Sequence, residues 1–205
     1  MDLAYVISER VNMQRIAILR WGHRARDERL TSHVALTARA LGASEFYLTD
    51  IIDKKIKETI DKIVKRWGGE FYFEMGRPWK EIIEEWKKEE GIVVHLTAYG
   101  ENIQISKVMK RIKATKRKIL VIVGSQRVPA EFFSKTISDF NVAIGNQPHS
   151  ECASLAVFLD RIFDGEELTK EFKGAELRIV PQNRGKRTIN PLNDSSKDSV
   201  KSEQI

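Results

Sequence analysis

Arg20, Arg24, Arg26 and Arg29 lie close together in the sequence, with His23 and His33 among them and Arg39 a little further on. Guanidinium groups grip phosphates through paired hydrogen bonds, and the N-terminus of a following helix adds donors of the same sign. Asp27 and Glu28 offset part of the charge, so the stretch also reads as a solvated surface loop. Its length between two regular segments favours a functional role.

Two other stretches have a different character. Gly124-Ser125-Gln126-Arg127-Val128-Pro129 is small and polar, and so is Ile144-Gly145-Asn146-Gln147-Pro148-His149-Ser150-Glu151. Glycine lets a backbone approach a ligand closely, and free amides and carbonyls in such loops can pair with an adenine edge. Either stretch alone reads as a turn of the chain. Each follows a strand-like segment, and together they suggest one ligand site, with Leu96-Thr97-Ala98-Tyr99-Gly100 as a third wall.

Other chemistries lack their residues. There is no G-x-G-x-x-G after a strand, no G-x-x-x-x-G-K-[ST], and no glycine-rich loop after the first strand. This counts against dinucleotide oxidoreductases, P-loop ATPases and methyltransferases with a conventional Rossmann-type cofactor loop. His149 and Cys152 are spaced like a pair of metal ligands, but no second pair accompanies them, so they read as a loop histidine and a buried helix cysteine and no metal site is expected. Residues 107–118 hold seven Lys or Arg and no acid. They read equally as an RNA-contacting stripe and as cations complementing a helix C-terminus. Trp67, Trp79 and Trp86 read as core or interface residues.

The elements that must position these groups alternate. Residues 15–20 (RIAILR) read as a buried strand, followed by a helix over 31–41 that Gly42 stops, and by a strand over 45–48. A helix over 54–67 places Ile56, Ile60, Ile63 and Val64 on one face; Asp50 or Asp53 caps it, and Gly68 and Gly69 end it. A strand over 70–74, a helix over 79–90 after Pro78, a strand over 92–96 and a helix over 103–113 come next. The run ILVIV at 119–123 is the strongest strand, as expected for the middle of a parallel sheet. A short helix over 129–135, a strand over 140–144 and a long helix over 149–163 complete the series. The alternation predicts an α/β fold, a parallel sheet with helices on both faces. Ligands bind such sheets beyond the carboxyl ends of the strands, where the three polar stretches fall.

Residues 1–14 are expected to be an N-terminal extension, 15–180 one α/β domain, and 181–205 a polar tail that is disordered, with 177–180 a final strand or docking segment. The chain of 205 residues is 41% hydrophobic and 31% charged, which describes a soluble globular protein, and its net charge of +6 makes an anionic partner plausible. No apolar run is long enough for a membrane span, and the first residues lack the apolar core of a signal peptide. The single cysteine excludes an internal disulfide and fits a reducing cytoplasm.

The stretch Leu19-Arg20-Trp21-Gly22-His23-Arg24, continued by Asp27, Arg29 and the run from Thr31-Ser32-His33 to Ala43, resembles the opening motif of the archaeal tRNA cytidine-56 2′-O-methyltransferases of the SPOUT superfamily. The blocks at 123–129 and 141–151 resemble the family's second and third motifs, and 96–100 a further segment. The resemblance covers roughly residues 15–178, and IGNQPHSE is its most specific piece. It implies a C-terminal trefoil knot, which periodicity would not show, and a homodimer with its cofactor sites near the interface. It implies tRNA as partner and S-adenosylmethionine held by Leu96, by Gly124, Ser125, Gln126, Arg127 and Val128, and by Ile144, Gly145, Asn146, Gln147, Pro148, His149, Ser150 and Glu151. Methyl transfer from a sulfonium needs a positioned hydroxyl and no metal. Arg24 and Arg29 are the candidates to stabilise developing oxyanion charge, with His33 as proton acceptor. The rival readings are methylation of another tRNA site or a base nitrogen, and a non-catalytic RNA-binding protein.

Overall fold

The structure, a computed structural model, describes residues 14–191; the expectations for the N-terminal extension and for the end of the tail fall largely outside them. Two strands sit at its centre because every residue in them is apolar or has a partner inside: β1 (Ile16–Arg20) and β5 (Ile119–Val123) are buried throughout. Around them β2 (Glu45–Leu48), β3 (Tyr72–Met75), β4 (Ile92–Asn102) and β6 (Phe140–Ala143) complete a six-stranded sheet in the order β3-β2-β1-β5-β4-β6. Every ladder in it is parallel, and the register brings Arg20, Val123, Leu96 and Val142 level at the carboxyl ends.

Side chains alternate across this sheet. Ile16, Ile18, Val94, Val121 and Val123 face a core completed by α1 (Glu28–Ala40), α2 (Lys54–Trp67), α4 (Val108–Thr115) and α5 (Glu151–Phe163). Ala17, Leu19, Val93, Leu120 and Ile122 face the other way, against α3 (Trp79–Lys88) and Phe132 of a 3-10 turn at Ala130–Phe133. Trp79 and Trp86 are buried there, and Phe132 meets Trp79 edge-on at 4.8 Å. The α/β architecture is thus as expected, with four helices on one face and one helix plus a turn on the other. β6 forms the edge beyond β4, yet α5, which follows it, returns across the sheet to lie against α1.

Several boundaries differ from the expectation. α1 begins at Glu28 rather than at residue 31, after a 3-10 turn at Ala25–Asp27, so the basic loop is shorter and Arg29 and His33 are helical. Acids at the N-terminal turn favour this early start. Asp53, not Asp50, caps α2: its carboxylate accepts from the amides of Lys55 and Ile56, whereas Asp50 has a positive φ. β4 does not stop at residue 96. Leu96 and Glu101 both pair with Val142, so 97–100 loop out and the strand resumes, which delays α4 to Val108. The short helix expected over 129–135 is only the 3-10 turn. In the stretch expected to be disordered, Thr188–Ile189 pair antiparallel with Arg178–Ile179 as the hairpin β7-β8, extended by the Val180 amide donating to the Arg187 carbonyl at 2.9 Å. Such a ladder is made by backbone groups alone, and a polar composition does not prevent it.

Candidate functional site

The carboxyl ends of β1, β5, β4 and β6 surround a cavity of about 790 Å³. Arg20, Arg24, Asp27 and Leu30 line it on the β1 side, His95 to Tyr99 within β4 where its register shifts, and Gly124 to Val128 after β5. Val142, Ile144, Pro148 and His149 close it beyond β6, together with Glu151 and Ser154 of α5 and Phe133. The lining is polarised. On the β4 and β6 side Leu96, Val142 and Ile144 make one end apolar, with Tyr99 and Phe133 against each other there, while on the β1 side Arg20, Arg24 and Asp27, with Glu151 near Arg20, make the other charged. A smaller hollow between residues 21–24 and 125–127 adjoins the charged end.

The loops owe their shape to local packing. A Cβ on Gly124 would overlap Cγ1 of Val128, so the absence of a side chain there lets Val128 pack closely over the start of the loop after β5. Asn146 ties two walls together: its Nδ2 donates to the Ala98 carbonyl at 2.8 Å, and its Oδ1 accepts from Asn102 at 3.1 Å. Ser150 caps α5 by accepting from the Cys152 amide, which sets Glu151 in the first turn against the cavity.

Of the residues expected to hold a cofactor, Leu96, Gly124, Ser125, Gln126, Arg127, Val128, Ile144, Pro148, His149 and Glu151 line the cavity; Gly145, Asn146, Gln147 and Ser150 do not. Of the three expected to act on substrate, only Arg24 lines it. Arg24 donates through Nε to Asp27 at 2.9 Å, and that bond holds the Asp27 carboxyl below the usual carboxylate range. Arg29 and His33 stand one turn apart on an exposed part of α1, outside this cavity.

Three basic residues grouped with the phosphate-gripping set are internal instead. Arg20 is wholly buried and donates to the carbonyls of Val123 and Gly124. Arg39 donates to the Gly68 carbonyl beneath the ring of Phe172. His23 is buried between Thr31 Oγ1 at 2.9 Å and Asp53 Oδ2 at 3.1 Å, so it joins the basic loop to the starts of α1 and α2. The sequence signal for Arg20 was its place at the end of an otherwise apolar strand. Removing the His23 ring strands two polar partners, at a cost of about 2 kcal/mol. His23→Ala is therefore expected to lower Tm by roughly 4–8 °C; an unchanged melting curve would show that the three-way contact holds nothing.

His95, buried on the opposite face of β4 from Leu96, donates from Nδ1 to Asn141 Oδ1 at 2.9 Å and meets Phe132 and Phe133 edge-on. Burial lowers its pKa below the ordinary 6.5, the Asn141 bond opposing only in part. The unfolded chain therefore binds this proton better than the folded one, so the stability due to neutral His95 is complete above pH 6.5 and is lost as pH falls below it. Chemical denaturation from pH 7.5 to 5 is expected to show this decline, and His95→Gln to make it shallower. Equal slopes for both proteins would exclude His95 as its source.

The basic stripe of residues 107–118 is largely tied down: Arg111, Lys113 and Lys118 pair with Glu101, Asp164 and Glu89, and Arg117 donates to the carbonyls of Glu90 and Gly91. Among the described residues no group of His, Cys, Asp and Glu is arranged to hold a metal, and no helix is long and apolar enough to cross a membrane.

Residues 67–189 match the family described as tRNA ribose 2′-O-methyltransferase, aTrm56. The tRNA (cytidine(56)-2′-O)-methyltransferase of Thermococcus kodakarensis is 50% identical over 177 residues, covering 85% of this chain and 96% of that protein. The enzyme of that name from Staphylothermus marinus is 46% identical over 188 residues, covering 91% and 99%. Among solved structures, an RNA 2′-O ribose methyltransferase superposes with a TM-score of 0.55 at 14% identity, over 74% of this chain and 57% of that one. The SpoU methyltransferase AviRb from Streptomyces viridochromogenes, solved in complex with the cofactor AdoMet, gives 0.54 at 12% identity, over 80% and 61%. At such identities these structures speak for the fold alone.

Proposed function

The chain belongs to the tRNA ribose 2′-O-methyltransferase family, and on that premise we propose that it methylates the ribose 2′-hydroxyl of cytidine 56 in the tRNA T loop, using S-adenosylmethionine, in the cytoplasm. The observation that carries this reading is identity near 50% along almost the whole length of relatives bearing that activity in their names. The cavity suits the cofactor. Its volume is that of a small-molecule site, its apolar end accepts an adenine ring, and its charged end accepts an amino-acid group. Leu96, Gly124 to Val128, Ile144, Pro148, His149 and Glu151 would hold it. When bound, the cofactor supplies a methyl group on a sulfonium, already activated for transfer.

The protein's residues then have to place and polarise the hydroxyl. An arginine holds its own proton too firmly to accept another, so its contribution is positive charge beside the oxygen as that oxygen becomes anionic. That Arg24 lines the cavity supports this role for it. Arg29 and His33 are exposed on α1 and do not line the cavity of their own chain. In the homodimer that forms part of this reading, they serve the cavity of the second copy, Arg29 as oxyanion stabiliser and His33 as proton acceptor. The same family premise includes a trefoil knot, consistent with α5 returning across the sheet after the edge strand β6.

The test is methylation of an unmodified tRNA transcript with radiolabelled cofactor, followed by nuclease P1 digestion and mapping. Label in 2′-O-methylcytidine at position 56 is expected. Label on a base, or at another nucleotide, would replace this reading with that of a different tRNA methyltransferase.

A further inference from the structure

Arg20 is a fully buried cation in the wall of the cavity. Its Nη1 donates to the carbonyls of Gly124 and, at 3.4 Å, of Val123. Its Nη2 stands 3.9 Å from the carboxylate of Glu151, beyond hydrogen-bonding distance. Nη2 and Nε have no hydrogen-bond acceptor among the described residues. Burial lowers the pKa of this guanidinium, and the charges of Glu151 and Asp27 oppose the effect only in part. A buried charge so incompletely partnered works against stability, and a well-packed apolar side chain of similar volume is commonly neutral or stabilising in its place.

What the guanidinium does instead is span three parts of the cavity: the end of β1 that carries it, the loop after β5, and the first turn of α5. A peptide unit is planar and rigid, so fixing the Gly124 carbonyl also fixes the direction of the Ser125 amide at the start of that loop. The loop is closely packed where it leaves β5, since even a Cβ on Gly124 would meet Cγ1 of Val128. Glu151 is drawn from the other side by the same charge.

We propose that Arg20 is a positioning residue for the cofactor, holding the Gly124 loop and the Glu151 turn at a fixed spacing while costing the fold stability. The inference rests on the reading that this cavity holds S-adenosylmethionine.

The two contributions separate experimentally. For Arg20→Met, thermal unfolding is expected to give a Tm equal to or above that of the wild type. Calorimetry with S-adenosylmethionine, without tRNA, is expected to show a Kd roughly tenfold or more weaker, the worth of one charge-assisted hydrogen bond. Arg20→Lys keeps the charge but not the fork, and is expected to bind with intermediate affinity. Unchanged affinity in Arg20→Met overturns the proposal. So does a fall in Tm together with affinity, because Arg20 then merely supports the fold. If Arg20→Met cannot be obtained folded, Arg20→Lys decides by the same criterion, with weaker binding at unchanged Tm supporting the proposal and unchanged binding overturning it. Failure of the wild-type protein itself to bind would instead overturn the reading of the cavity, and this inference with it.

Discussion

Alanine at Arg29 is expected to lower kcat for ribose methylation by roughly 10²–10³-fold, the usual loss when one preorganised donor to a developing oxyanion is removed. Tm and the Kd for S-adenosylmethionine are expected to stay at wild-type values. Arg29 is exposed on α1, and surface substitutions remote from packed or buried features change stability little. It lies outside the cavity of its own chain, so cofactor contacts made there persist. In the proposed role the loss falls on kcat, because the guanidinium would meet negative charge only as the oxygen attacks. If the side chain serves the second copy, complementation follows. Arg29→Ala mixed one to one with Gly124→Val, whose side chain would collide with Val128, is expected to recover about a quarter of wild-type activity, because half the dimers of a two-fold assembly would then hold one intact site. A side chain acting within its own subunit would recover none. Unchanged turnover in Arg29→Ala, Arg24→Ala and His33→Ala alike would remove all three from the mechanism.

The contrast between Arg20 and Arg29 shows what the sequence could convey. Both sit in one basic stretch, and composition treats them alike. Strand-end geometry buries the first among backbone carbonyls, while helical phase leaves the second exposed one turn from His33. Continuous apolar runs made β1 and β5 legible, because a strand covered on both faces has no polar alternation to confuse it. Gly68 and Gly69 marked the end of α2 by local chemistry, while its start was open between Asp50 and Asp53 until the fold chose Asp53. The path of β4 was not legible in this way. Whether residues 97–102 leave the sheet or rejoin it depends on pairing with β6, some forty residues further along the chain, and no local preference encodes that contact. The hairpin β7-β8 escaped for a related reason, since its ladder is carried by backbone groups that composition does not report. Among the site residues, the small polar loops were visible as loops, but which of their members face the cavity was decided by tertiary bonds such as the one that turns Asn146 toward Ala98.

That path of β4 also sets the second large effect. Gly100 closes the excursion of 97–100, and a Cβ there would lie 2.5 Å from the carbonyl carbon of Asn141 and from the amide nitrogen of Val142. These are backbone atoms of β6, held by the ladder that pairs Val142 with both Leu96 and Glu101, so they cannot give way as a flexible side chain would. In Gly100→Ala the excursion must lift off β6, taking with it the Ala98 carbonyl that Asn146 holds and the wall formed by Leu96 to Tyr99. Overpacking of this kind costs about 1–3 kcal/mol, and the expected fall in Tm is roughly 3–10 °C. The Kd for S-adenosylmethionine is expected to weaken at least about tenfold, because the displaced wall no longer shapes the apolar end of the cavity that the proposed reading gives to the cofactor. Gly145→Ala provides the comparison: a Cβ there meets nothing within 4 Å, and its Tm is expected to match the wild type. The pair distinguishes close backbone approach from mere turn-making, since both glycines lie in loops at the same edge of the sheet and only one is wedged against a neighbouring strand. Equal stability and equal cofactor affinity in Gly100→Ala would mean that the excursion of β4 is free to move, and that the third wall of the cavity is not held by its contact with β6.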